Sequence, residues 1–248
     1  MILFSDFDDT LFFREEPSKT EQNLSAIGEW RAAGNQFCIT TGRSYLSLTT
    51  EFPALKELCD FYILDSGSII YDKNGKLLHT YHFPAQLVEK IVDSSKTLPE
   101  ASVACYYTAG SEGFSYETEN ITKLRFWFKT PDILDQILEE MSAFPALAFK
   151  SITISRHKEL EGCKGFIELI PLDSGKSQAI KFLAKYENLP LDDIVTVGNG
   201  LNDYGMIKDF SGYMIFGSEL SEVYPSLQTT PSLATLIRTI LNQPKASL

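Results

Sequence analysis

The sequence predicts an α/β fold: a doubly wound, mostly parallel sheet with an α+β segment inserted into it. Three observations carry this. Short apolar runs at residues 2–4, 37–39, 61–64 and 194–197 each end in a polar or glycine-rich cluster, as buried parallel strands do. Segments with helical periodicity separate several of these runs, so strand and helix alternate. Between about residues 83 and 171 the alternation gives way to consecutive strand-like runs.

A chain of 248 residues can bury one large core, or a core plus a smaller domain. Hydrophobic content of 44% and charged content of 22% place it among ordinary globular proteins. A net charge of -11 argues against a nucleic-acid or anionic-membrane surface, which needs a basic footprint. An anionic ligand must then be drawn in by local positive charge. Cys38, Cys59, Cys105 and Cys163 are scattered among apolar or strand-like residues, which points to buried free thiols rather than disulfides or metal ligands. No apolar run approaches membrane-spanning length, and Asp6 falls too near Met1 for a signal peptide. The expectation is a cytoplasmic protein with no nucleic-acid or membrane partner, a monomer or weak homodimer.

In chain order, Ile2-Leu3-Phe4 forms a strand that ends in Asp6, Asp8 and Asp9, followed by Thr10. Ser18 or Thr20 can cap a helix through Leu24, Ile27 and Trp30, with Gly34 as its stop. A strand over 36–40 runs straight into Thr41-Gly42-Arg43. A third strand over 61–64 leads into Asp65-Ser66-Gly67-Ser68, and a hairpin follows around Asn74-Gly75. The inserted segment reads as a helix over 84–96, then strands over 101–107, 113–117 and 123–129. A helix opened by Pro131, with Ile133, Leu134, Ile137, Leu138 and Met141 on one side, precedes strands over 148–155 and 165–170. The alternating pattern then resumes. Asp173-Ser174-Gly175-Lys176 opens a helix, and a strand over 194–197 enters Gly198-Asn199-Gly200-Leu201-Asn202-Asp203. A strand over 213–216, a helix over 232–241 and a frayed tail complete the chain.

Four clusters at strand ends or helix starts can carry chemistry. Three carboxylates within four positions repel one another; a divalent cation would offset that charge, and hard Mg²⁺ prefers oxygen ligands. The alternative is a solvated acidic turn capping a helix near Leu11. Thr41 falls on the same sheet rim as Asp6 and Asp8, where ligands bind parallel sheets. Its hydroxyl can hold a phosphate or simply cap a helix. Lys176 at a helix N-terminus is electrostatically misplaced unless it faces anions or lies in solvent. The glycines of 198–203 let the backbone turn sharply and aim amide and carboxylate oxygens at the rim.

These clusters resemble the motifs of the haloacid dehalogenase superfamily of aspartyl-nucleophile phosphohydrolases. Asp6-Phe7-Asp8-Asp9-Thr10 matches Asp-x-Asp-x-Thr, and Thr41 stands at the second motif. Thr41-Gly42-Arg43 is typical of the sugar-phosphatase branch (Cof-like, class IIB cap). Lys176 stands at the third motif, and 198–203 resembles Gly-Asp-x-x-Asn-Asp. The chain departs twice: Asn199 replaces an Asp, and Ser66-Gly67 stands where the branch has Asn-Gly.

The resemblance implies a Rossmann-like catalytic core over 1–82 and 172–248, with an α/β cap over 83–171 hinged near Pro84 and Pro171. It implies a Mg²⁺-dependent phosphatase of small phosphorylated metabolites, foremost sugar phosphates. Asp6 would be the nucleophile, Asp8 the general acid and base, and Thr41 and Lys176 the phosphate-holding groups. Gly42, Arg43, Ser66, Gly67 and Asn202 would line the substrate. Mg²⁺ would be held by Asp6, the Asp8 carbonyl, Asn199 and Asp203, with a neutral amide at Asn199 weakening the site. Dehalogenation needs no acid at the Asp8 position and is disfavoured. A sugar phosphomutase, or a non-catalytic phosphometabolite-binding protein, are the alternatives. In the cap, Arg125, Arg156, His157 and Lys164 are either substrate contacts or surface charge, while Tyr106, Tyr107, Trp127 and Phe128 fit strand core by alternation.

Overall fold

The computed structural model describes residues 1–96, 101–107, 112–113, 119–129, 139, 147–153 and 165–243. In chain order the strands are β1 (Ile2–Ser5), β2 (Gln36–Thr40), β3 (Phe61–Leu64), β4 (Ile69–Asp72), β5 (Leu77–Thr80), β6 (Ala101–Tyr107), β7 (Glu112–Gly113), β8 (Ile121–Phe128), β9 (Leu147–Thr153), β10 (Gly165–Pro171), β11 (Ile194–Gly198), β12 (Tyr213–Ile215) and β13 (Thr229–Thr230). The helices are α1 (Pro17–Ala32), α2 (Tyr45–Glu51), α3 (Leu55–Leu58), α4 (Ala85–Ser95), α5 (Lys176–Tyr186), α6 (Tyr204–Asp209), α7 (Glu219–Val223) and α8 (Leu233–Leu241).

One sheet has eight strands in the order β13-β12-β11-β1-β2-β3-β4-β5, parallel from β13 to β3 and closed by an antiparallel hairpin. From β1 the chain winds outward through β2 and β3, then returns on the other flank through β11, β12 and β13. The reversal makes the carboxyl ends of β1 and β11 the switch point, where a crevice opens for a ligand. Strand β1 is buried on both faces. Leu3 joins Ile27, Trp30 and Ile237 on one side; Ile2 and Phe4 join Ile180, Leu183 and Met206 on the other. Burying a side chain such as Phe4 contributes about 2–3 kcal/mol, so this short strand is held by packing rather than length.

The second sheet is antiparallel throughout, in the order β7-β6-β8-β10-β9, and consists of the inserted residues. Trp127 and Phe128 are both buried, as core residues, but they are neighbours on opposite faces, so β8 is covered on both sides rather than alternating; the Tyr106 and Tyr107 side chains lie outside the described residues.

The structure adjusts several expectations. Helix α1 begins at Pro17, with no side-chain cap from its N-cap residue Glu16. Pro17 presets the helical φ, and Thr20 instead accepts a hydrogen bond from the Phe13 N–H at 2.9 Å. Strand β8 starts two residues before the predicted 123. Of the strand expected over 113–117 only Gly113 is described, in β7. The helix expected after Pro131 lies outside the described residues, apart from Glu139, which is helical. Arg156, His157, Lys164 and the tail from 244 also lie outside them. The Cys38 and Cys59 thiols are free and buried, and burial pushes both pKa values up. Among the described residues no helix is long and apolar enough to cross a membrane.

Candidate active site

The backbone N–H of Asp6 still donates to Val197 O at 2.9 Å, so its side chain emerges at the seam between β1 and β11. That side chain is 10% exposed. Lys176, the first residue of α5, reaches Asp6 Oδ1 at 2.5 Å and Asp203 Oδ1 at 2.6 Å. The other Asp203 oxygen accepts from the Asn199 and Gly200 N–H groups, each at 3.0 Å. Asp203 therefore braces the turn after β11 with both oxygens, beside Lys176 and Asp6. Gly198 admits this brace, since a Cβ there would lie 2.4 Å from Asp203 Cγ.

Asp8 is half exposed and clamped by Arg43, through Nε to Oδ2 at 2.9 Å and Nη2 to Oδ1 at 2.8 Å. The remaining guanidinium arm donates to Glu51 Oε2 at 2.8 Å. Arg43, expected to touch substrate, here holds Asp8. Thr41 is buried at the end of β2 and its hydroxyl accepts from the Arg43 N–H at 3.1 Å. It is not a helix cap, because Ser44 caps α2. The Thr10 hydroxyl donates to Asn199 Oδ1 at 3.2 Å, tying the first loop to the last. Asn202 lies beside Gly200 on the same turn.

Gly42, Ser66 and Gly67, expected to line substrate, make these contacts within the protein. The Ser66 hydroxyl donates to Glu168 Oε2 at 3.1 Å, and the Gly42 carbonyl accepts from Lys123. Gly67 has φ +104°, and a Cβ on it would fall 2.1 Å from the Gly175 backbone. That contact requires glycine and sets Lys176, the next residue, against Asp6.

Electrostatically, Asp6, Asp8 and Asp203 outnumber Lys176, while Arg43 is spent on Asp8 and Glu51. Burial and the Asp203 charge, against the pull of Lys176, push the Asp6 pKa up to about 7 from its ordinary 3.8. Burial would lower Lys176, but Asp203 and Asp6 outweigh it and raise its pKa. A buried carboxylate in this state is short of positive charge. The oxygen donors at hand are the Asp6 carboxylate, the Asp8 carbonyl and the Asn199 amide, a hard set that fits Mg²⁺. Among the described residues no three His, Cys, Asp or Glu side chains converge as a metal site; Mg²⁺ tolerates few protein ligands because it keeps several waters.

Four supporting residues went unnoticed in the sequence: Asn23, Glu51, Lys123 and Glu168. Buried Asn23 donates to the Thr10 and Leu11 carbonyls at 3.1 and 2.9 Å, holding the acidic loop in shape. A polar residue on the apolar face of α1, amid Leu24 and Ile27, was the available signal.

The site sets a buried aspartate at a doubly wound sheet's switch point, paired with lysine and followed two residues on by a clamped aspartate. The family model of haloacid dehalogenase-like hydrolases matches residues 3–115 and 108–215, and the chain belongs to that family. Within it the chain is a Cof-like phosphatase, a phosphoric monoester hydrolase. It is 27% identical over 212 residues to 5-amino-6-(5-phospho-D-ribitylamino)uracil phosphatase YcsE of Bacillus subtilis, covering 82% of this chain and 78% of the relative. It is 20% identical over 244 residues to HMP-PP phosphatase of Escherichia coli, covering 91% and 87%. A HAD subclass IIB sugar phosphatase of known structure superposes with a TM-score of 0.77 at 14% identity, covering 96% and 98%.

Proposed function

We propose that this phosphatase hydrolyses small phosphorylated metabolites, sugar phosphates foremost, through an aspartyl-phosphate on Asp6. The observation that carries the reading is the pairing of a sheltered Asp6, in contact with Lys176 at 2.5 Å, with an open Asp8 held by Arg43. The nucleophile is buried, and the general acid beside it is half exposed. Asp6 attacks phosphorus, and Asp8 protonates the leaving alcohol and then deprotonates the water that hydrolyses the intermediate. Thr41, Lys176 and Asn202 hold the phosphate oxygens as charge shifts. The Asp6 carboxylate, the Asp8 carbonyl and Asn199 are the residues that would hold Mg²⁺, with Asp203 bracing Asn199. When bound, the cation screens the repulsion between an anionic nucleophile and an anionic ester.

In this reading residues 1–82 and 172–248 are the catalytic core and 83–171 the cap that selects substrate and excludes water. The Ser66–Glu168 hydrogen bond supports it, because it joins the inserted sheet to the rim beside Thr41. Two buried free thiols among the described residues are in keeping with a cytoplasmic setting.

The test is phosphate release from a panel of sugar phosphates, with 5-amino-6-(5-phospho-D-ribitylamino)uracil and HMP-PP included, with and without Mg²⁺. Asp6→Asn is expected to cut turnover at least about a thousandfold while the protein stays folded. Isomerised ester without free phosphate would mark a mutase. Tight binding of panel members without turnover would favour the binding-protein reading, for which the neutral Asn199 is the motive.

A further inference from the structure

The face of the inserted sheet nearest the catalytic rim carries a second buried charge cluster that the chemistry above does not use. Lys123 is fully buried. Its Nζ donates to the Gly42 carbonyl oxygen at 2.5 Å and lies 3.4 Å from both Asp65 Oδ1 and Glu168 Oε1. The Thr122 hydroxyl donates to Asp65 Oδ2 at 2.9 Å. Arg125, directly across the sheet from Glu168, donates to its Oε1 at 3.0 and 2.6 Å. Among the described residues, Asp65 from the turn after β3 thus meets Lys123, Arg125 and Glu168 from the inserted sheet, two acids with two cations.

Burying an ammonium is expensive, and an apolar pair would join two sheets more cheaply. The charge needs a reason, and the Gly42 carbonyl supplies one. Gly42 lies between Thr41 and Arg43, and a Cβ on it would meet Ser66 Oγ at 3.2 Å and Glu168 Oε2 at 3.5 Å, so the turn is pressed onto the cluster. The Thr41 carbonyl accepts from the Ser66 N–H at 2.9 Å, and the Arg43 carbonyl from the Asp65 N–H at 3.1 Å. Displacing Gly42 therefore displaces Thr41 on one side and Arg43, with Asp8, on the other.

We propose that Lys123 is a positioning residue. By holding the Gly42 carbonyl and joining Asp65 to Glu168, it fixes the Thr41–Arg43 turn for phosphate binding and makes that turn depend on the seating of the inserted sheet. The proposal rests on Thr41 as a phosphate-holding group.

The test is Asp65→Asn combined with Lys123→Met. The pair removes one charge of each sign, leaves Glu168 with Arg125, and deletes the bond to Gly42. Inorganic phosphate, titrated in the presence of Mg²⁺, is expected to bind about tenfold more weakly or worse. KM should rise more than kcat falls, because the turn binds ground and transition states alike. The melting temperature should stay within a few degrees. Phosphate affinity and KM within about twofold of the unaltered protein would overturn the proposal. Amide exchange in the unaltered protein needs no variant. Arg43, Asp65 and Ser66 should be protected like β2, and exchange as fast as the exposed 73–76 turn would overturn the proposal as well. If no ester were hydrolysed, the functional reading would fail, yet phosphate binding and amide exchange would still report on Lys123.

Discussion

Two lysines, Lys176 and Lys123, are both buried, and each bridges two carboxylates, but they sit in opposite electrostatic situations. Around Lys176 the acids Asp6, Asp203 and Asp8 are in excess, and Asp6 is pushed up to about 7. Around Lys123 the acids are matched by Arg125. Burial pushes Glu168 up, yet Lys123 and Arg125 prevail and hold it at about 2, below its ordinary 4.5. Burial pushes Asp65 up as well, against the pull of Lys123, so the contrast lies between Asp6, which meets one lysine, and Glu168, which meets Lys123 and Arg125. A deficit of positive charge marks where a further cation and an anionic ester can be received, whereas balance marks a joint.

Removing each lysine gives the sharpest contrast. Lys176→Met and Lys123→Met should each cost about 3–5 kcal/mol in denaturant unfolding, since the first takes the cation from buried Asp6 and the second takes it from buried Asp65. Saturating Mg²⁺ should restore part of the loss at Lys176 and none at Lys123. Equal rescue of both variants, or of neither, would break the comparison.

Acid separates the clusters next. A carboxyl whose folded pKa lies below its unfolded value stabilises the fold above the unfolded pKa, and that stabilisation fades as pH falls toward the folded one. For Glu168 the window runs from 4.5 down to about 2, with a loss of at most about 3 kcal/mol. Unfolding curves across that range should flatten in Glu168→Gln.

Smaller effects concern how the catalytic cluster is held. Gly67→Ala should cost about 2 kcal/mol, because the methyl meets the Gly175 backbone at a positive φ. It should also lower turnover by shifting Lys176. Asn199→Asp should tighten Mg²⁺ by about tenfold, or ~1.4 kcal/mol, as followed by calorimetric titration. No gain would show that the amide already suffices.

Much of this architecture was legible because it is local. Ile2-Leu3-Phe4 and Ile194-Val195-Thr196-Val197 are continuous apolar runs ending in turns, and central parallel strands are written that way. Asp6, Thr41, Lys176 and Asn199 could be put on one rim because each follows a strand or opens a helix. What stayed hidden was pairing at long range. Nothing near Arg43 announces that it clamps Asp8, 35 residues away, and nothing near Lys123 announces the Gly42 carbonyl, 81 residues away. Short helices such as α3 and α7 also escaped, since one turn carries no periodicity. The expected caps at Ser18 or Thr20 failed because Pro17 could start the helix unaided.

Ser68 receives both ends of the inserted segment. Its carbonyl accepts from the Tyr81 N–H at 2.8 Å, where the chain departs, and its hydroxyl lies 3.3 Å from that of Ser174, where the chain returns. The segment therefore hangs from the sheet as a leaf hangs from a stem. Closing a longer or shorter loop at a fixed stem changes entropy only slowly with length. A different leaf grafted at the same stem would leave the spacing of β1, β2 and β11 untouched, so the inserted sheet can vary while Asp6, Thr41 and Lys176 keep their places.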